Sequence, residues 1–202
     1  MQNIKILYYD KNIIILNKPF GIEINKIIKK KTNNNLPNNG LLNRLDKYTS
    51  GIITIARNNL FYFYYKKLLL SNYIKKKYIV FTEKKFFKGF INLSIKKKKN
   101  ILIKKNYKKS LSFYKIIKKN NNNNFLYIYI KTGRTHQIRK HLYHSKIFIK
   151  NDFYLKKKKN TFLNNLHFKT ISFFYPFIMK NFSLSCNLTK EIKKNFLINF
   201  LK

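Results

Sequence analysis

The chain is written as a succession of short apolar runs, rich in β-branched and aromatic residues, each cut off by Lys, Asn or a turn before it grows long. "IKILYY" and "NIIILN" flank the turn-like pair Asp10-Lys11, and "KPFG" (Lys18 to Gly21) closes this hairpin-like unit. "GIITIAR" follows, then "KYIVFTE", "GFINLSI", "NILIKK", "LSFYKII" and "FLYIYIK", and "KTISFFYPF" with "NFSLSCNL" makes a terminal pair. Runs of this length and composition are strands. Three segments have helical length. "NNLFYFYYKKLLLSNYIKK" has Asn58 or Asn59 as N-cap, and its aromatics Phe61 to Tyr65 read as core. In "TGRTHQIRKHLYHS", Thr132 and Gly133 make a turn and a helix of about three turns follows. "TKEIKKNFLINFLK" is amphipathic with Thr189 as N-cap. Two polar stretches, "KKKTNNNLPNNG" and "KKNNNNN" (Lys118 to Asn124), read as a loop and a loop tip. Many strands, few helices and no regular βαβ alternation specify an α+β fold, with a mainly antiparallel, mixed central sheet flanked by a few helices and loops.

With 202 residues, 45% of them hydrophobic, the chain can bury one core, and residues 1–202 read as a single domain. Lys and Asn interrupt every apolar run within about 10 residues, too soon to span a bilayer. The N-terminus alternates charged and apolar residues, unlike a signal peptide. The single Cys186 excludes an internal disulfide framework and fits a reducing compartment. The expected location is the cytoplasm, and the default assembly is a monomer.

The formal net charge is +39. Two sources stand side by side. Lys, Asn, Ile, Phe and Tyr are the residues of A/T-rich codons, so compositional drift inflates them together. A polyanion partner would relieve the self-repulsion by counterion release. Within this bias Arg is informative. Of 45 basic residues only Arg44, Arg57, Arg134 and Arg139 are arginine. Arg supplies a planar, permanently charged fork that Lys does not. Three of the four lie in two segments, "NRLD" and "TGRTHQIR". Asp46, one of six acids, stands two residues from Arg44, and a nearby cation keeps a carboxylate ionised. Such a group serves as a nucleophile at a sugar carbon, as a base, or as a salt bridge or cap that holds a loop. In the second segment, Gln137 and His141 share a helix face, which Arg134 and Arg139 do not. A metal site from His136, His141 and His144 is disfavoured, because His136 and His141 are off a single face and no carboxylate or Cys is near in sequence. A basic helix start suited to phosphate is the better-motivated reading.

These residues carry a resemblance. "NRLDKYTSGIITIA" resembles the signature of the RluA-type pseudouridine synthases, His-Arg-Leu-Asp-x-x-Thr-Ser-Gly followed by an apolar strand and Ala. "KYIVF" resembles the family's segment with the active-site Tyr. "TGRTHQIRKHLYHSKIFIKNDFY" resembles Thr-Gly-Arg-Thr-His-Gln-Ile-Arg-x-His followed by Gly-Asp-x-x-Tyr. "LNKPFGI" resembles the early Lys-Pro-x-Gly, and "LHF" at Leu166 to Phe168 the late Leu-His-Ala. The segments occur in the family's order and cover nearly the whole chain.

The resemblance implies an isomerase that converts uridine in structured RNA to pseudouridine, with no cofactor and no metal, and ribosomal RNA rather than tRNA as the target. Asp46 would be the essential carboxylate, attacking the ribose C1′ or removing a ribose proton. Arg139 would pair with it, and Tyr78 would stack on the target base and assist at C5. Arg44, Thr49, Ser50, Gly51, Arg134, His136 and Gln137 would shape the loop or contact RNA. No obligate protein partner is implied. The S4-like RNA-binding domain of some relatives is not expected, because the catalytic pattern starts almost at residue 1. The sequence departs from the family pattern at Asn43 (for His), Asn151 (for Gly) and Phe168 (for Ala). The rival expectations are a catalytically inactive RNA-binding or RNA-folding protein that retains the fold, and a basic ribosome-associated structural protein.

Overall fold

The structure is a computed structural model that describes residues 4–25, 35–83, 89–96, 107–152 and 165–200. Strands β1 (Lys5–Tyr9) and β2 (Ile13–Lys18) form an antiparallel hairpin. Asp10 closes it, its Oδ1 accepting the N–H groups of Asn12 (2.7 Å) and Ile13 (2.8 Å). Strand β3 (Ser50–Ala56) pairs antiparallel with β2 and is buried along its whole length. Helix α1 (Asn59–Leu70) follows, and Asn58 is its N-cap, the side chain accepting from Phe61 N–H at 2.9 Å. Phe61, Tyr62 and Tyr65 are core as expected, whereas Phe63 faces solvent. The helix is shorter than its segment. Asn72 adopts a left-handed φ of 59°, so the chain turns there and continues as strand β4 (Lys75–Glu83).

"GFINLSI" is two strands, not one: β5 (Gly89–Asn92) and β6 (Ile95–Lys96), the latter paired with β7 (Tyr107–Lys108) in a separate ribbon. "NILIKK" lies outside the described residues. Strands β8 (Leu111–Lys119) and β9 (Asn123–Ile130) form a long hairpin. The Asn tract is thus only partly a loop tip. Asn120 Oδ1 accepts from Asn122 N–H (3.1 Å) and Asn123 N–H (2.7 Å), while Asn123 and Asn124 are buried in β9. Helix α2 (Gln137–His144) has eight residues, two turns rather than three, because His136 at φ 54° is not helical. Strands β10 (Phe148–Ile149), β11 (Leu166–Tyr175) and β12 (Lys180–Ser185) and helix α3 (Lys190–Phe200) complete the chain. Thr189 Oγ1 accepts from Ile192 N–H at 3.4 Å at the start of α3, where the sequence expects the cap.

The main sheet runs β1-β2-β3-β11-β4-β9-β8-β5, with β10 on β4 and β12 on β11. Among the described residues every pairing is antiparallel except β3 with β11, which is parallel and spans two registered pairs, His167↔Ser50 and Phe168↔Gly51. That seam joins the N-terminal hairpin layer to the rest of the sheet. The larger core cluster holds Tyr78, Val80, Ile128, Phe168 and Ile171 with Phe61 and Tyr65 of α1 and Ile138 and Leu142 of α2. A second cluster sets Ile79, Phe81 and Phe125 under Ile192 and Phe200 of α3. Among the described residues no helix is long and apolar enough to cross a membrane.

Candidate active site

Asp46 stands on the loop that leads into β3. The loop is pinned at several points. Asn43 donates to Ile52 O (3.0 Å) and accepts from Thr54 N–H (2.7 Å), so the residue standing for the family's His fastens the loop to the strand. Thr49 N–H donates to Asp46 O at 3.0 Å. Beneath, the fully buried Lys18 donates to Pro19 O (2.9 Å), Ile22 O (2.8 Å) and Lys47 O (3.0 Å), which uses all three ammonium protons. Burial pulls the Lys18 pKa down to about 8, with the Asp46 charge opposing the shift.

Tertiary structure brings helix α2 onto this loop. Asp46 Oδ2 lies 2.9 Å from His136 Nδ1 and 3.2 Å from Arg139 Nη1. Burial pushes the Asp46 carboxyl up, but the His136 hydrogen bond and the charges of Arg139, His136 and Lys18 outweigh it and hold the carboxyl below its usual range. The side chain of Asp46 remains 32% exposed, so a charged carboxylate is presented to solvent. Arg139 is only 3% exposed and bridges two acids: its Nε lies 3.4 Å from Asp152 Oδ2, and its Nη2 donates to Thr49 Oγ1 at 3.5 Å. Asn151, before Asp152, has φ 61°, a left-handed conformation that Gly adopts freely and that Asn accepts more readily than other residues with a side chain.

Tyr78 lies on β4, opposite Phe168 of β11 in the register. The two rings stack with centroids 4.5 Å apart and an interplanar angle of 10°. Burial, then Tyr65, then the charge of Asp46 push the Tyr78 phenol up, so it stays protonated at neutral pH. Phe168 thus fills the space beside Tyr78 that an Ala would leave open. The β3–β11 approach that sets this arrangement requires glycine. Gly51 has φ 117°, and a Cβ there would fall 2.3 Å from Phe168 O. Behind the seam Ser50 Oγ meets His167 Nδ1 at 2.9 Å, and His167 Nε2 meets Cys186 Sγ at 3.1 Å. Burial pulls His167 down to about 3 and pushes the Cys186 thiol up to about 12, so both are neutral links.

The site residues inferred from sequence separate into two groups. Asp46, Thr49, His136 and Arg139 converge, with Gly51 and Tyr78 on the adjoining strands. Arg44, by contrast, is exposed and makes no ion pair with Asp46, although the sequence places them two apart. The groups that keep Asp46 ionised are His136, Arg139 and Lys18, all brought from elsewhere in the chain. Arg134 is exposed, its Nε 3.5 Å from Lys109 O. Gln137 is buried: its Oε1 accepts from Thr132 Oγ1 (2.8 Å) and Arg134 N–H (3.0 Å), and its Nε2 donates to Leu111 O and Ser112 Oγ (both 3.1 Å). It holds the turn before α2. Ser50 faces His167. Two participants have no role in the sequence reading, Asp152 behind Arg139 and Lys18 under the loop, and His136, expected to shape the loop or contact RNA, is a direct partner of Asp46. Their signal was membership in "THQIR", "NDF" and "KPFG". Among the described residues no group of three His, Cys, Asp or Glu is placed to hold a metal.

Comparisons with known proteins bear on the family and the fold. The chain is 30% identical to the ribosomal large subunit pseudouridine synthase D of Buchnera aphidicola subsp. Schizaphis graminum, over 95% of this chain and 72% of that protein. It is 33% identical to the ribosomal large subunit pseudouridine synthase C of Buchnera aphidicola subsp. Baizongia pistaciae, over 96% of this chain and 71% of that protein. In fold it is similar to human RNA pseudouridylate synthase domain containing 1, with a TM-score of 0.76 at 17% identity, covering 95% of this chain and 86% of that one. Human RNA pseudouridylate synthase domain containing 4 superposes with a TM-score of 0.71 at 18% identity, covering 95% and 91%. The family model described as RNA pseudouridylate synthase matches residues 12–144, which hold Asp46, Tyr78, His136 and Arg139. The chain belongs to the RNA pseudouridylate synthase family, isomerases that act on uridine in RNA.

Proposed function

We propose that the protein isomerises uridine to pseudouridine in ribosomal RNA, with Asp46 as the essential carboxylate and without a cofactor. The observation that carries this reading is the pairing of Asp46 Oδ2 with both His136 (2.9 Å) and Arg139 (3.2 Å) beside a buried tyrosine. A carboxylate held ionised yet partly exposed is suited to a sugar carbon or a ribose proton. The reaction breaks the N1–C1′ bond and forms C5–C1′. N1 gains a proton and C5 loses one, so no oxidant, reductant or energy source enters. Arg139 and His136 aim the carboxylate. Tyr78, one face of which Phe168 covers, would offer its other face to the detached base. The target nucleotide must leave its stack, at a cost of a few kcal/mol offset by phosphate contacts from a chain of net charge +39. The ribosomal target is supported by the names of the Buchnera relatives.

The test is carbodiimide-blocked primer extension on unmodified ribosomal RNA and tRNA transcripts treated with wild type or Asp46→Asn. New stops on ribosomal RNA with wild type alone are the expected result. Stops on tRNA alone would move the target. No stops from a folded, RNA-bound protein would make it a binding module on a synthase fold.

A further inference from the structure

The face of the sheet opposite Asp46 and Tyr78 carries an unexplained pattern. Side chains alternate along a strand, so Tyr78 faces the main core while Lys77 and Ile79 face the other way. Helix α3 covers Ile79, Phe81 and Phe125 at one end of that face. Beyond Tyr127 no helix among the described residues packs on this face. The register there runs straight across neighbouring strands: Phe90↔Phe113, Phe113↔Tyr129, Tyr129↔Lys77. Directly paired residues share a face. Phe90 is 64% exposed, Phe113 38% and Tyr129 39%. The Phe90 and Phe113 ring centroids are 6.3 Å apart, those of Tyr127 and Tyr129 6.4 Å, and Lys77 Nζ lies 4.8 Å from the Tyr127 ring. Lys75, Lys115 and Lys131 are exposed around them. Among the described strand residues on this face the acid is Glu83, at the far end of β4.

We propose that this row is a second RNA contact, a stacking platform for an unpaired stretch of the same RNA remote from the target nucleotide, with Lys75, Lys77, Lys115 and Lys131 taking its phosphates. It rests on the reading of the chain as an RNA-modifying enzyme. Charge decides the occupant. A protein partner would have to supply carboxylates to each lysine it desolvated, or bury unpaired charge. A single-stranded polyanion brings a phosphate with every base and a π-face for every ring. Aromatic side chains spread over adjacent strands hold two or three bases in other sheet-based RNA binders. The platform uses a face that the isomerisation leaves idle, and it separates holding the RNA from acting on it.

The test measures fluorescence anisotropy of labelled single-stranded oligouridylate with wild type, Phe90→Ser, Phe113→Ser, Tyr129→Ser and Tyr129→Phe, and maps crosslinks from 4-thiouridine in the same RNA. Each Ser variant weakens binding roughly tenfold, Tyr129→Phe does not, and crosslinks fall on β8 and β9. In pseudouridine formation the Ser variants raise KM and leave kcat unchanged. Phe90 is the most exposed ring and lies on an edge strand, so its variant decides the matter if the Phe113 variant unfolds. Affinities unchanged by ring loss would overturn the proposal and leave the rings as cross-strand pairs only. Crosslinks confined to the Asp46 side, with product still formed, would overturn it while leaving the catalytic reading intact. Binding to anionic lipid vesicles with none to oligouridylate would overturn it in favour of a membrane surface.

Discussion

Gly51→Ala tests how the site is held together. A Cβ at Gly51 would sit 2.3 Å from Phe168 O, 2.6 Å from Phe168 N and 2.9 Å from Phe168 C, all backbone atoms that cannot swing aside. Reaching an ordinary contact requires β3 and β11 to part by roughly 1 Å. That is enough to break the short seam, whose hydrogen bonds are worth about 1 kcal/mol each. A residue with a side chain at φ 117° adds strain of about 1–3 kcal/mol. With about two such bonds lost, the loss is about 3–5 kcal/mol, a large part of a stability of about 5–15 kcal/mol. The displacement also separates Asp46, on the β3 side, from Tyr78, on the β4 side. A misplacement of about 1 Å costs on the order of 100-fold in rate. Gly21→Ala is the internal control: φ is 80° but nothing lies within 4 Å of a Cβ, so it carries strain alone, about 1 kcal/mol. Urea unfolding followed by circular dichroism, with single-turnover pseudouridine formation, measures both effects. If Gly51→Ala unfolds at the same urea concentration as Gly21→Ala and keeps wild-type turnover, the seam does not position the site.

Three further predictions follow from the same contacts. Lys18 titrates at about 8, below its unfolded value, so the folded state sheds its proton first and this residue's contribution to stability rises with pH from there to about 10.4. Activity moves the other way, because a neutral amine has two donors for three carbonyls. The kcat profile of the wild type should fall with a midpoint near pH 8, and the same alkaline limb in Lys18→Met would rule out this origin. Arg139→Gln should raise the acid limb of activity, since the depressed Asp46 carboxyl moves back toward its ordinary value. In the wild type the stability from this pair is present above about pH 3.9 and is lost as pH falls through the lower folded value. The variant also removes the guanidinium from buried Asp152, at a cost of about 3–5 kcal/mol, and an unmoved acid limb would dismiss the pairing as the cause. Phe168→Ala removes a fully buried ring stacked on Tyr78 and should cost about 3–5 kcal/mol with a fall in kcat; a variant with unchanged urea midpoint would refute the packing role.

Much of the fold was legible because strand signals are local. The hairpin at Asp10, β3, β4, the β8–β9 pair and the terminal β11–β12 pair all lie where apolar runs and turn residues placed them. Errors came where one left-handed residue overrode the pattern. Asn72 cut the first helix short and His136 delayed the second, and periodicity carries no signal for either. In the Asn tract composition says loop, whereas cross-strand pairing with Thr82 and Glu83 buries Asn123 and Asn124.

The sequence by itself determined the class of sheet, the rare residues that matter and, through their motifs, the family. Only the tertiary structure decided who touches whom. Arg44 is two residues from Asp46 and faces solvent, while Arg139 reaches it from α2 and His136 from the residue just before that helix. Local spacing dictates which side of a strand or helix a residue occupies. Which distant element comes to rest against it depends on the register of non-adjacent strands, here on a parallel seam of two residue pairs that a missing Cβ at Gly51 allows to close.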